Sequence, residues 1–451
     1  MELRLGLGSA PVLSGKVVRP TALSSLRHVV RKSTGSIRAV GARHSANGNY
    51  RPASGGLAID MTGLTGMVGK PERIDDPNLR RVAPANTNFE TDRAVTFKAG
   101  TTVKEATRAL AKHGLAFETL ASSGRVTLGG LAANATHGTG YRRPSTIASQ
   151  ILRKSVVRTD GEIETIDDSQ RLPYARTGLG SLGVDGELTF RAVPAYNLKL
   201  SDRRQPEAEG RKQLAAFVEG SDHPTVLWWP SEKRMAFRSL DRTTEEARAR
   251  RQTLVALIVH LQRPATRILS WMGPLGPRTL NAVTSRASGS EEVDASFKMF
   301  EQPEFSSDMH HSIAIPYENL MPAMDSIREL WRARGYVHHY PIVMRFVDGE
   351  GTPLSPAQGG RHVYIEMYGQ ACFKGGEAAL GDAAQNLIDR YGGRAHWSKG
   401  TYRDPRANYF PREVMEKFDE LRGQLDPQGR LMSEWTQREL DGEPRGCAGK
   451  E

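Results

Sequence analysis

Three glycine-rich turns, each following or feeding a β-rich apolar run, constrain this chain more than any other feature. The first, Gly41-Ala42-Arg43-His44-Ser45, follows Ile37-Arg38-Ala39-Val40. The second runs from Thr127-Leu128-Gly129-Gly130 to Thr136-His137-Gly138-Thr139-Gly140, and the third is Gly178-Leu179-Gly180-Ser181-Leu182-Gly183. Glycine has no Cβ and accepts positive φ, so a strand ending in glycine brings backbone close to a ligand. Neither familiar nucleotide signature competes. No Gly-x-Gly-x-x-Gly opens a helix early in the chain, and there is no Walker Gly-Lys-Ser/Thr. Turns so widely separated suit an extended ligand threaded between two small α+β subdomains.

Between the turns the pattern alternates short strands with a few helices. Val17-Val18-Arg19-Pro20 reads as a strand, and Leu23, Leu26, Val29 and Val30 follow at helical spacing. Further strands are Ile37–Val40, Leu57–Asp60 and Ala94–Gly100. Thr102-Val103-Lys104-Glu105 is a capping box opening a helix that stops by Gly114. Ile151–Val157 and Glu162–Ile166 read as a hairpin turned at Asp160-Gly161. The polar, charged stretch 200–230 suits a domain junction. Beyond it come an amphipathic helix marked by Leu320, Met324, Ile327 and Trp331, then the strands Pro341–Phe346 and His362–Tyr368. A last helix carries Val414, Phe418, Leu421 and Leu425 and stops at Asp426-Pro427-Gln428-Gly429.

Composition narrows the function classes. At 451 residues a large core is available, and Cys372 and Cys447 are the only cysteines, so neither a disulfide framework nor a zinc cluster is expected. No apolar run reaches the roughly 20 residues of a membrane span. The start, Met1–Gly8, is too short in apolar residues for a secretory signal, so the expected location is the cytoplasm. Net charge is +11, yet the basic residues are scattered, and the densest run, Arg248 to Arg251, follows Glu245 and Glu246. That reads as a solvated basic surface rather than a nucleic-acid interface. The pairs His310-His311 and His338-His339 have no carboxylate at ligand spacing, so no metal site is expected.

The ordered glycine turns, with His396-Trp397-Ser398-Lys399 and the closing Leu425-Asp426-Pro427-Gln428-Gly429, resemble the vanillyl-alcohol oxidase superfamily. Within it the combination is similar to the aldonolactone and alditol oxidases, a group that includes gulonolactone and arabinonolactone oxidases. The resemblance implies an α+β fold: a two-subdomain FAD-binding domain over residues 1–197 and an α+β substrate domain with an antiparallel sheet over 198–394. Residues 395–440 would return to the first domain, and 441–451 would be a disordered tail. The implied cofactor is FAD, joined covalently to His44. Gly41, Ala42, Arg43, Ser45 and Asn47 would line the same turn. Ser122 would sit beside the flavin ring, and Ala121 would occupy the position that gates oxygen. Thr127, Gly129, Gly130, His137, Gly138 and Gly140 would form the second loop around the cofactor, and Gly183 and Val184 would meet its adenine side. Arg345 matches a substrate-pocket arginine and Lys399 a lysine at the flavin's pyrimidine end.

These residue types suit hydride transfer from an alcohol carbon. Negative charge develops on the flavin's pyrimidine edge, where Lys399 or Arg345 would stabilise it. The flavin does the redox chemistry and the protein supplies orientation and electrostatics. The chain departs from the sugar oxidases at one point. They carry an acid two residues before the pocket arginine, and here Val343 stands there. Side chains alternate along strands, so Val343 and Arg345 share a face, as do Val363, Ile365 and Met367; packed together these give an apolar pocket. A one-residue slip would replace the second set with His362, Tyr364, Glu366 and Tyr368, and would make Glu366 a general base. His339, on the predicted face of Arg345, is a second candidate proton acceptor. The expected partners are a small-molecule alcohol (a sugar, cyclitol, lactone or secondary metabolite) and molecular oxygen or another electron acceptor. The alternatives are a dehydrogenase using a quinone or cytochrome, and a flavin-binding protein impaired by the loss of acid at Val343.

Overall fold

The computed structural model describes residues 16–248, 268–273, 275–286, 291–301, 307–349, 351–400, 402 and 410–441. Three sheets organise them. The strands β1 (Lys16–Val18), β2 (Ile37–Val40) and β3 (Leu57–Asp60) form a small parallel sheet in the order β1-β3-β2. Its core is Leu26 and Val30 from the helix Leu23–Lys32 against Ile37 and Ile59, the stripe that the 3.6-residue period implies.

The second sheet comprises β4 (Met67–Arg73), β5 (Arg93–Lys98), β6 (Leu115–Ala116), β7 (Ile151–Val157), β8 (Ile163–Ile166) and β9 (Val184–Pro194). Its order is β4-β5-β9-β7-β8, with β6 also pairing with β9. The hairpin of β7 and β8 is antiparallel, as its Asp-Gly turn implies. The helix Val103–Ala111 opens with the expected reciprocal cap: Glu105 N–H donates to Thr102 Oγ1 at 3.2 Å, and Thr102 N–H donates to Glu105 Oε2 at 2.8 Å. Phe97, Phe117, Phe190 and Leu188 fill the core of this region, and Val414, Phe418, Leu421 and Leu425 of the helix Arg412–Leu425 join it. The C-terminal helix thus returns to the N-terminal core.

The third sheet holds β10 (Asn197–Pro206), β11 (Pro224–Trp229), β12 (Arg234–Thr243), β13 (Glu291–Ala295), β14 (Met309–Pro316), β15 (Ile342–Val347), β16 (His362–Gly369) and β17 (Arg394–Ala395). It is antiparallel, in the order β13-β10-β12-β11-β15-β16-β14-β17. The helices Glu207–Gly220, Leu320–Ala333 and Gly376–Tyr391 cover one face through Leu214, Ile327, Trp331 and Leu387, packed on Trp228, Met344 and Ile365. The opposite face looks toward the first two sheets. The stretch 200–230 is regular structure, running from β10 through the helix Glu207–Gly220 into β11, and across the ladder Asp202 pairs with Arg238 at 2.6 Å. The fold is the expected α+β arrangement, with an antiparallel sheet in its second part. No described helix is long and apolar enough to cross a membrane. The tail beyond Asp441, and Arg250 and Arg251 of the basic run, lie outside the described residues.

Candidate active site

The three glycine turns converge, and the C-terminal His396–Lys399 segment joins them. A Cβ on Gly41 would lie 2.2 Å from Thr127 Oγ1, so only glycine lets the first turn reach the second. Thr127 caps the helix Leu128–Ala133 by accepting from Gly130 N–H. Arg43, beside His44 at the tip, takes the left-handed conformation with φ 60°, a backbone strain that the surrounding contacts must support. Ala46 N–H donates to Ser398 O at 2.8 Å, and Asn47 Nδ2 donates to Trp397 O at 2.8 Å. The turn bearing His44 is thereby tied to the segment bearing Lys399.

The third turn is held by Arg38, which the sequence reading did not single out. Its guanidinium donates to the carbonyls of Asn49 at 2.8 Å, Leu179 at 2.7 Å, Gly180 at 3.1 Å and Leu431 at 3.3 Å. It is fully buried, and desolvation alone lowers it to about 10. Among the described residues it has no carboxylate partner. Its donors are taken up by these carbonyls, so it ties the strand before the first turn to the third turn and to the C-terminal segment. The only signal in the sequence was an arginine inside an apolar strand. Gly183 takes positive φ, Val184 begins β9 and is buried, and Ala121 is buried in the loop before Ser122. Gly129 packs against Ala99, and Gly138 N–H bonds to Ser145 O.

The second turn docks on the third sheet. Gly140 N–H donates to Phe346 O at 3.1 Å, and Thr139 Oγ1 donates to the same carbonyl at 3.2 Å. There the register of β15 with β16 corrects the apolar face expected above: Val343 opposes Glu366 and Arg345 opposes Tyr364. Directly opposed residues project to one side, so Tyr364, Glu366 and Tyr368 share the face of Arg345, whereas Ile365 and Met367 pack under the covering helices. The hairpin register depends on the intervening loop, which periodicity alone does not fix. Arg345 Nε donates to Glu366 Oε2 at 3.0 Å, and Tyr368 Oη donates to the same oxygen at 2.9 Å. His137 Nε2 lies 3.6 Å from Glu366 Oε1, and its ring stacks on Tyr364 at 3.4 Å between centroids. On β14, His310 opposes Tyr368 and stacks on it at 4.1 Å. Val343 instead meets Leu227, Trp229 and Ala236, an apolar wall beside the charged cluster.

Burial dominates the electrostatics. It lowers His137 to about 3, partly opposed by the bond to Gly138 O and reinforced by Arg345 and Lys399. Burial also takes His310 and His396 well below the usual imidazole range, with Lys399 acting on both. Lys399 therefore shares this site. Burial pulls the Arg345 guanidinium down, but Glu366 more than offsets it and leaves it raised. His339 is not part of this cluster. Its ring stacks on Phe373 at 4.0 Å, beside Tyr340, and neither ring nitrogen has a hydrogen-bond partner among the described residues. No metal-ligand cluster occurs among the described residues.

Residues 188–439 match the family model of D-arabinono-1,4-lactone oxidase, and residues 15–167 match an FAD binding domain. The chain is 26% identical over 431 residues to an L-gulono-1,4-lactone dehydrogenase of Mycobacterium tuberculosis, covering 94% of this chain and 95% of that one. It is 24% identical over 439 residues to the L-gulonolactone oxidase of Mus musculus, covering 93% and 94%. A cholesterol oxidase from B. sterolicum shares the fold with a TM-score of 0.69 at 15% identity, over 94% of each chain.

Proposed function

The chain belongs to the D-arabinono-1,4-lactone oxidase family, and on that premise we propose that it oxidises a ring or chain hydroxyl of an aldonolactone or related sugar alcohol, with FAD as the cofactor. The observation that supports this reading is the Arg345–Glu366–Tyr368–His137 cluster, set where the second glycine turn meets the sheet and within the electrostatic reach of Lys399. A hydroxyl-bearing substrate finds donors and an acceptor there, which replaces the apolar pocket face expected from the sequence. Bound FAD supplies the two-electron acceptor for the hydride of the carbinol C–H bond. Arg345 and Glu366 orient the hydroxyl, Lys399 supplies a cation, and the wall of Val343, Leu227 and Trp229 keeps water from one side. Gly41, Ala42, Arg43, Ser45, Asn47, Thr127, Gly129, Gly130, Gly138, Gly140, Gly183 and Val184 hold the dinucleotide in this reading, with Ala121 and Ser122 beside its ring. We place the domain divisions near residues 198 and 395.

His44 carries the flavin covalently and oxygen is the acceptor; both belong to this proposal. Its support is the His44 turn, strained at Arg43 and tied to the Lys399 segment. The test mixes the protein anaerobically with L-gulono-1,4-lactone and D-arabinono-1,4-lactone and follows bleaching of the flavin absorbance. Bleaching by neither lactone nor by alditols would sink the reading. Acid precipitation should leave flavin with the wild-type chain and release it from His44→Ala. Hydrogen peroxide formed one-for-one with product separates an oxidase from a dehydrogenase, the name that the mycobacterial relative carries.

A further inference from the structure

The hydrogen bonding of His137 fixes which of its nitrogens carries the proton. Nδ1 lies 2.9 Å from Gly138 O, and a carbonyl oxygen only accepts, so Nδ1 donates. Burial keeps the ring neutral, which leaves a lone pair on Nε2. Nε2 lies 3.6 Å from Glu366 Oε1, beyond hydrogen-bond distance. The other carboxylate oxygen, Oε2, is already engaged by Arg345 Nε and Tyr368 Oη, at 3.0 Å and 2.9 Å. Two acceptors therefore face each other with no proton between them, in a site where both side chains are almost fully buried. Such an arrangement is unfavourable by itself and becomes favourable on gaining one proton. The plane of the ring is fixed by its stack on Tyr364, with an interplanar angle of 6°, so the lone pair does not swing away.

We propose that His137 Nε2 and Glu366 Oε1 form a one-proton trap that takes the hydroxyl proton of the substrate. This rests on the reading of the site as a flavin-dependent hydroxyl oxidation. In the balanced step the substrate O–H bond breaks and its proton comes to rest between Nε2 and Oε1. The O–H electron pair becomes the second bond of the C=O product, while the C–H bond breaks and its hydrogen departs with both electrons as the hydride that bound FAD would accept. The proton is shared by the pair. Burial lowers His137, the Gly138 carbonyl opposes it, and Arg345 and Lys399 add to it; Glu366, Tyr364 and His396 also face the ring. His310, buried at the opposite side of Tyr368, senses both His137 and Lys399. Burial, reinforced by the cations, keeps the resting ring neutral, and the carboxylate lies beside the nitrogen that receives the proton.

The discriminating variant is His137→Asn, whose amide keeps a donor for Gly138 O and removes the Nε2 lone pair. In anaerobic single-turnover reduction with a lactone that bleaches the wild-type flavin, H137N should slow the rate by about 10²-fold or more. The acid limb of the pH–rate profile should disappear with it. A wild-type rate and profile in H137N overturns the proposal. Glu366→Gln should be slow in the same assay, and a fast E366Q overturns it as well. Nitrogen NMR of the histidines in the oxidised wild-type holoprotein gives a readout independent of turnover and of any variant's folding. A neutral His137 protonated on Nδ1 supports the trap, and one protonated on Nε2 refutes it. If no alcohol or lactone reduces the wild-type flavin, the functional reading fails while the tautomer measurement still decides whether the trap exists.

Discussion

At the scale of single residues, burial separates groups that the sequence makes look alike. Arg38 and Arg345 both interrupt apolar strands, yet Arg345 is met by a carboxylate and Arg38 by four backbone carbonyls. Removing Arg38 leaves those carbonyls unpaired in the interior, where each orphaned acceptor costs about 1 kcal/mol or more. Arg38→Met should therefore lower unfolding stability by about 4 kcal/mol in denaturant titration and reduce the flavin bound per chain. Normal flavin content in a stably folded R38M would separate the guanidinium from the cofactor cradle. Among the histidines, His44 and His137 were both legible as members of glycine turns. Only His137 is brought onto Glu366, because its turn docks on β15.

At the scale of elements, periodicity found strands and helices well and their pairing poorly. The capping box at Thr102, the hairpin of β7 with β8 and the helix bearing Phe418 follow from local chemistry that operates within a few residues. Phe418 is fully buried in the N-terminal core, far along the chain from its partners. Phe418→Ala should cost about 3–5 kcal/mol, read by thermal or denaturant unfolding, because the helix cannot collapse into the gap without losing Leu421 and Leu425. A change under 1 kcal/mol would mean that the helix does not complete that core. The pairing of β15 with β16 was undecidable from alternation, since a one-residue shift exchanges Ile365 and Met367 for Glu366 and Tyr368. The closing contacts of the strands, with the covering helices taking the apolar set, select the polar one for the site.

At the scale of the whole molecule, the described interior holds several buried, neutral histidines. Burial lowers His137 and His339 to about 3 and His223 and His311 to about 4, with the bond to Thr139 O partly opposing it for His223. The unfolded chain binds protons on these rings as pH falls through about 6.5, whereas the folded chain does not until the lowered values are reached. The unfolded state thus holds more protons between those limits, and folding stability falls as pH falls. Each such ring contributes up to about 1.4 kcal/mol per pH unit in that window. Asp222 acts in the same direction, because burial pushes it up but Arg143 and the Arg242 amide pull it further down. The melting temperature should decline steadily from pH 7 to pH 4. A flat profile would contradict neutral burial of these rings.

The sequence alone determined the glycine turns, most secondary structure, the cofactor class and the cysteine-poor, α+β character, because glycine stereochemistry, capping and periodicity act over short spans of chain. It also placed Arg345, Lys399 and Glu366 among the candidates. It did not show that the charges of the stretch 200–230 pair across a ladder, and it missed Arg38 and the contact of His137 with Glu366. Those depend on contacts between residues separated by up to 393 positions, as between Arg38 and Leu431. Register, burial and the protonation state of a buried imidazole are properties of the assembled interior. Only the tertiary structure, by choosing which faces meet, decided them.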